Sequence, residues 1–379
     1  MKYLILLLLI TSALVLTAQN STYHFQSGFE GSTRLIQYHL NGDTNRNNAD
    51  IVGVDNGYDW VQDLDKNDDI GNFRIYYEVG DTTKSKASLV QDPVNPNNSV
   101  LKFQIFEPHI PNSGEPKGRI QAAINNNSNL KEFYYQVKMY LHPDLDSLRK
   151  YPSDITWFTL EEFWNNGANQ PYPFRVTLNI QKPKGQGQPL HFGAHGQTRI
   201  EKGKWDSKWE VLDSGFAVPL GEWLTLDTYF KEGDSTTGRY KVVMTDSRGR
   251  KRVIVDVTGY TFHPQDSDPD GVANFNPMKL YTSGDLINGL RQAGAELSVY
   301  WDDFKFWKDS SLVSINATMN WEGARLYPNP STGIWFVKSD EPIRKLTVLD
   351  HVGKQVFLHE GHIDKLDLSR CSSGVYHVL

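Results

Sequence analysis

Three runs in the middle of the chain place guanidinium, amide and imidazole groups on one side of an alternating pattern. In Arg175-Val-Thr-Leu-Asn-Ile-Gln181, Val176, Leu178 and Ile180 point one way and Arg175, Thr177, Asn179 and Gln181 the other, as the strand period of two requires. In Gly118-Arg-Ile-Gln-Ala-Ala-Ile124 the inward set is Ile120, Ala122 and Ile124, and Arg119 and Gln121 share the open side. In Leu190-His-Phe-Gly-Ala-His-Gly-Gln197 the open set is His191, His195 and Gln197. If these strands neighbour each other in one sheet, the open sets converge over a groove suited to an acidic sugar. Guanidinium and amide groups hold a carboxylate through charge-assisted or amide hydrogen bonds, and neutralising it makes the proton on the adjacent carbon acidic. A base must then take that proton while an acid protonates the departing oxygen, roles open to His and Tyr in a desolvated cleft. The chemistry such a set would support is β-elimination on a uronic-acid polysaccharide, for which no cofactor is required. The catalytic candidates are His191, His195, Tyr229 and Tyr240, with base and acid unassigned among them. Arg119, Gln121, Arg175, Asn179, Gln197 and Lys231 are the polar substrate-binding candidates, and Trp164 offers a ring for a sugar face.

Two other constellations compete. Glu161 and Glu162 are a carboxylate pair, but neighbours on a strand point to opposite faces, so without a bulge they cannot flank one glycosidic bond as a hydrolase requires. Hydrolysis is therefore the second enzymatic reading, and a noncatalytic lectin with the same groove is the rival from another class. Asp266-Ser-Asp-Pro-Asp-Gly271 has the spacing of a calcium loop, with Asp266, Asp268 and Asp270 as ligands, yet Pro277 stands where a bidentate Glu belongs. An ion there, or at the less regular Asp63-Leu-Asp-Lys-Asn-Asp-Asp69, would be structural; a solvated loop is the alternative.

The elements that carry these residues read as strands. Alternating runs at 100–105, 119–124, 133–141, 175–181, 224–231, 239–245, 252–257, 279–282 and 297–307 are separated by Gly, Asn, Asp and Pro clusters, and no helical stripe exceeds a couple of turns. Many antiparallel strands without intervening helices imply an all-β sandwich. Lys plus Arg number 39 against 45 Asp plus Glu, so no basic field advertises nucleic acid. Met1-Lys2, the apolar run over 4–16 and the small residue Ala18 read as a signal peptide over 1–18, too short for a membrane span. Such a chain goes to an oxidising space with a single cysteine, Cys371, so the core rather than disulfides must stabilise it. The 18 Tyr, 18 Phe and 10 Trp divide between that core and sugar-facing positions. The reading is of a monomer.

Several stretches resemble known families. The tail, with Tyr327-Pro-Asn-Pro330, Gly333, Lys345-Leu-Thr-Val-Leu349, Gly353-Lys-Gln-Val356, Leu368-Ser369 and Gly374-Val-Tyr376, resembles the C-terminal sorting domain of the type IX secretion system. The resemblance implies a small β-sandwich over 325–379, a linker over 308–324, the secretion machinery as partner, and a secreted or cell-surface destination. Gly28-Phe-Glu-Gly31 and Ser298-Val-Tyr-Trp-Asp-Asp-Phe-Lys-Phe306 resemble the paired terminal strands of concanavalin-like jelly rolls, implying such a domain over 19–307. Tyr229-Phe-Lys-Glu-Gly233 and Arg119-Ile-Gln121 resemble segments of jelly-roll alginate and glucuronan lyases, and the layout is similar to that of ulvan lyases. Together these imply an endo-acting lyase on ulvan first, then glucuronan or alginate.

Overall fold

The protein is described by a computed structural model covering residues 25–39, 47–65, 72–77, 82–111, 116–125, 127, 129–201, 204–308, 324–327, 333–339, 345–349, 354–361, 363–369, 371 and 377–378. The expected signal peptide, linker positions 309–323 and the Pro-Asn-Pro step of the tail lie outside the described residues. The chain divides into two compact units, Met1–Val313 and Ser314–Leu379.

In chain order the first half of the large unit contributes β1 (Phe25–Ser27), β2 (Arg34–His39), β3 (Asn47–Val52), β4 (Val54–Asp55), β5 (Tyr58–Asp59), β6 (Asn72–Tyr76), β7 (Ser85–Gln91), β8 (Ser99–Ile105), β9 (Lys117–Asn125) and β10 (Glu132–Leu141). There follow β11 (Thr159–Asn165), β12 (Phe174–Gln181), β13 (His191–Glu201), β14 (Lys204–Leu212), β15 (Trp223–Lys231), β16 (Arg239–Thr245), β17 (Lys251–Thr258), β18 (Asn274–Ser283), the helix α1 (Gly284–Gln292) and β19 (Ser298–Lys308). Apart from β4 and β5, which pair only with each other, the described strands of this unit form two antiparallel sheets. One runs β17-β16-β15-β10-β19-β8-β7 with β1 on β19; the other runs β14-β13-β12-β11-β18-β9-β6-β3-β2. The fold is an all-β sandwich, as the alternation and turn signals imply, of the jelly-roll form that the resemblance of its terminal strands implies. Helix α1, which the strand periodicity left unmarked, is started by Ser283, whose Oγ accepts from the Leu286 amide.

The sandwich closes on its apolar faces. Val176, Leu178 and Ile180 of β12 and Phe192 and Ala194 of β13 enter the same core as Phe133, Leu226, Phe230 and Val242 of the other sheet. Aromatic rings dominate it: Phe133 stacks on Phe230 at 5.0 Å and meets Phe163 and Phe275 edge-on at 5.3 and 4.9 Å. Each such ring, fully buried, contributes about 1.5–3 kcal/mol. The core therefore absorbs much of the aromatic content that composition alone allowed for sugar binding.

Where β1 closes on β19, acidic residues crowd together. Burial first, then the charges of Asp302, Asp55 and Asp303, push the Glu30 carboxyl up to about 7. Burial and the neighbouring Asp303 push Asp302 up to about 6. A carboxyl with a raised folded-state pKa contributes stability that is complete below its unfolded value and lost as pH rises through its folded one. The melting temperature is therefore expected to fall between roughly pH 4 and 7, with Glu30→Gln flattening the slope. Identical pH profiles for the two proteins in thermal melts would contradict this.

Among the described residues the small unit has two three-stranded sheets built from β20 (Ala324–Tyr327), β21 (Ile334–Ser339), β22 (Lys345–Leu349), β23 (Gln355–Glu360), β24 (Lys365–Asp367) and β25 (His377–Val378). Val337, Leu346, Val348, Leu366 and Leu368 form its own core. Gly333 has φ 107°, and a Cβ there would meet the Ser369 Cα at 2.8 Å, which ties the motif glycine to a close backbone crossing.

Candidate active site

The outer face of the second sheet gathers most of the polar residues singled out above. Across neighbouring strands Arg175 sits opposite Trp164 and Gln197, Thr177 opposite Glu162 and His195, and Asn179 opposite Thr159 and Gly193. On the far side of β11, Thr159 pairs with Tyr281 of β18, which pairs with Arg119 of β9; Lys279 pairs with Gln121. Outward-facing polar residues of a sheet are ordinarily solvated. These are not: Asn179, Gln181, His191, His195, Gln197, Gln121, Thr177 and Lys279 are all buried, so neighbouring side chains shield this face from bulk solvent.

At one end four groups surround the half-buried Tyr281. Lys279 Nζ, Arg119 Cζ and Lys117 Nζ lie 5.1, 5.3 and 5.9 Å from its ring centroid, and the Trp157 ring packs against it at 4.9 Å. At the other end the Arg175 guanidinium lies 3.5 Å from the Trp205 ring centroid, beside Trp164. Its Nε and Nη2 donate to Gln197 Oε1 at 3.1 and 2.9 Å, and its Nη1 to Glu162 Oε1 at 3.3 Å. The guanidinium is thus committed to protein partners and positions the floor rather than standing open to a ligand. Glu162 also binds Lys279. Burial pushes the Glu162 carboxyl up, but the Lys279 and Arg175 charges with hydrogen bonds from Lys279 and Trp164 outweigh it and hold it at about 2. The buried trio carries one net positive charge.

The two histidines differ in how they are held. His191 Nδ1 lies 2.8 Å from the Phe216 carbonyl oxygen, which only accepts, so the neutral ring carries its proton on Nδ1 and keeps the Nε2 lone pair as a base. His195 Nε2 is 2.7 Å from Gln181 Nε2 and 3.2 Å from Glu210 Oε1. Burial lowers the pKa of His195, opposed by Glu210 and assisted by Arg175. Gly193 lies between them because Gln181 passes over it: a Cβ there would come within 2.5 Å of the Gln181 Cδ. Thr159 Oγ1 donates to Asn179 Oδ1 and Asn179 Nδ2 to Thr177 Oγ1, both at 2.8 Å, which fixes the amide.

Three expected site residues lie elsewhere. Tyr240 of β16 faces the core, fully buried against Phe163 and Trp209. Tyr229 and Lys231 of β15 face outward from the opposite sheet, where both bind Glu132. The alternation within β15 and β16 was legible, but their sheet was not, because pairing between distant strands leaves no local mark. Tyr281 went unnoticed although its signal was present: Leu280 turns into the core, which puts Lys279 and Tyr281 on the open side.

A bulge between Thr159 and Glu161 precedes the carboxylate pair, whose two members, as neighbours on a strand, point to opposite faces. Glu161 turns into the core, where burial drives its carboxyl well above the usual range beside Tyr240 and Thr228, and Glu162 faces the groove. The two therefore cannot flank one glycosidic bond. The Asp266 loop is engaged by protein donors: Asn166 Nδ2 reaches Asp266 Oδ2 at 2.8 Å, and the Asp268 amide reaches Oδ1 at 3.2 Å. Gly271 donates to Glu232 at 2.7 Å. Among the described residues no three carboxylate, imidazole or thiol groups are arranged to hold a metal ion, and the Asp266, Asp268 and Asp270 spacing does not form a ligand set there.

Residues 325–379 match the secretion system C-terminal sorting domain, so the tail belongs to that class and indicates export by the type IX route to the cell surface or beyond. No curated protein sequence matches the chain. Among solved structures, a glucuronan lyase from the fungus Trichoderma reesei is 15% identical with a TM-score of 0.38, covering 77% of this chain and 98% of its own. An alginate lyase from Aplysia kurodai is 10% identical with a TM-score of 0.41, covering 62% and 90%. The catalytic domain of a family 131 glycoside hydrolase from Coprinopsis cinerea is 10% identical with a TM-score of 0.32, covering 62% and 83%. At these values the likenesses carry no functional argument.

Proposed function

We propose that the large unit is a secreted polysaccharide lyase that cleaves a uronic-acid-containing polymer by β-elimination. The observation that carries this reading is the convergence of Arg119, Lys117, Lys279 and Tyr281 with His191 on one shielded face. Tyr281 is three strands from Gly193, and His191 lies two residues further along β13, about 16 Å from Tyr281 between backbones at the usual strand spacing and rise, a span that the phenol, the sugar and the imidazole fill together. Arg119 and Lys117 meet the sugar carboxylate, with Asn179 binding its neighbouring oxygens. Their positive field stabilises the charge that develops as the adjacent proton leaves. His191 Nε2 takes that proton; the electron pair forms the new carbon–carbon double bond; the glycosidic bond to the departing oxygen breaks; and the Tyr281 hydroxyl protonates that oxygen. Ulvan is the first substrate to examine, then glucuronan and alginate. A signal peptide over 1–18 and the sorting tail would deliver the enzyme to such extracellular polymers.

The test is ultraviolet absorbance of the conjugated unsaturated uronate during incubation with a panel of acidic polysaccharides. A rise with at least one uronate polymer is expected, with none from neutral glucans. Binding of the polymers without any rise would leave a lectin, and new reducing ends without a chromophore would indicate a hydrolase.

A further inference from the structure

Beyond Tyr281 the shielded face continues onto β9, β6 and β3, where the register brings Gln121 opposite Tyr76 and Tyr76 opposite Asn48. Arg74 follows on the same face of β6, its guanidinium 4.6 Å over the Tyr76 ring. Asn48 and Gln121 are 1% and 8% exposed, yet Asn48 Nδ2, Gln121 Oε1 and Arg74 Nε are buried with no hydrogen-bond partner. Asp50, one position along β3 from the core-facing Ala49, also keeps its Oδ1 unmatched, and among the described residues neither it nor Arg74 joins an ion pair. Folded proteins rarely leave one such group unsatisfied, and several gathered on one strip of a groove need a common explanation. Two donors and two acceptors side by side match an anionic sugar: an oxyanion for Arg74 and the Asn48 amide, hydroxyls for Gln121 Oε1 and the Asp50 carboxyl.

We propose that Asn48, Asp50, Arg74 and Gln121 form an accessory subsite for a second acidic sugar of the same polymer, held through its carboxylate or sulfate ester. The strip begins at Gln121 on β9, one strand from Tyr281, and reaches Asn48 and Asp50 on β3, three strands or about 14 Å away at the usual spacing, within reach of the next sugars along the chain. Occupied, it anchors the polymer away from the reacting ring, so long substrates gain and the shortest do not. This inference rests on the groove binding uronate polymers.

The test compares the full chain with Arg74→Gln and Asn48→Ala on uronate oligosaccharides of increasing length, unsulfated and sulfated. Both variants are expected to keep wild-type turnover on the shortest cleaved oligosaccharide and to lose about tenfold or more in kcat/KM on long ones. Loss on both substrate series assigns a general oxyanion subsite; loss on sulfated chains alone assigns the sulfate ester. Wild-type length dependence in both variants overturns the subsite, as does an equal loss on short and long substrates with a lowered melting temperature. If the wild type cleaves nothing, calorimetric binding of the same oligosaccharides decides: weaker binding of long chains by Arg74→Gln upholds the subsite while the lyase reading falls, and unchanged binding overturns both.

Discussion

Replacing Tyr281 with Phe is expected to lower turnover on the cleaved polymer by between about a hundredfold and ten thousandfold, the usual worth of a general acid. The substitution removes one oxygen and leaves the ring against Trp157, with Lys279 and Arg119 still around it. The thermal melt should therefore stay within a few degrees of wild type, and KM should change much less than kcat. Steady-state rates at saturating polymer check this. Full activity in Tyr281→Phe would remove the phenol from the proton transfers and leave the cations around it as binding groups only.

His191→Ala is expected to cost a comparable factor, again roughly a hundredfold or more in kcat. The reason is geometric: the Phe216 carbonyl fixes the proton on Nδ1 and points the Nε2 lone pair away from the backbone. His191→Gln separates the two possible roles of the ring. A glutamine amide can still donate to the Phe216 carbonyl but has no basic nitrogen, so it should preserve the melt without restoring turnover. Recovery of activity in His191→Gln would show that the imidazole only props the 213–218 segment and takes no proton.

Much of this site was legible before any strand was paired. The alternation in Arg175 to Gln181, in Arg119 to Ile124 and in Leu190 to Gln197 placed the same residues on the open side that β12, β9 and β13 present. Apolar partners at every second position leave a strand only one way to face a core. Three things were not local. The sheet to which Tyr229 and Tyr240 belong depends on β15 pairing with β10 and β16, more than eighty residues apart in the first case. That the two glutamates face opposite ways follows from the alternation, but the bulge ahead of Glu161 decides which of them turns inward, at one residue and without a glycine to announce it. The commitment of Arg175 to Glu162, Gln197 and Trp205 exists only once four strands are side by side, so a residue read as a substrate ligand turns out to hold the floor in place. Tyr281 was within reach of the same alternation that found Arg119, its partner across the ladder.

The central claim is elimination, and the fate of water tests it most directly. Cleavage of the most susceptible acidic polysaccharide in water enriched in the heavy oxygen isotope, followed by mass spectrometry of the fragments, separates the two chemistries bond by bond. Elimination transfers a proton and adds no water, so the account predicts that one new end of each cut carries a double bond, lies one water lighter than a hydrolytic fragment, and contains no heavy oxygen introduced by cleavage. Fragments of hydrolytic mass with one heavy oxygen built in at each cut would contradict it.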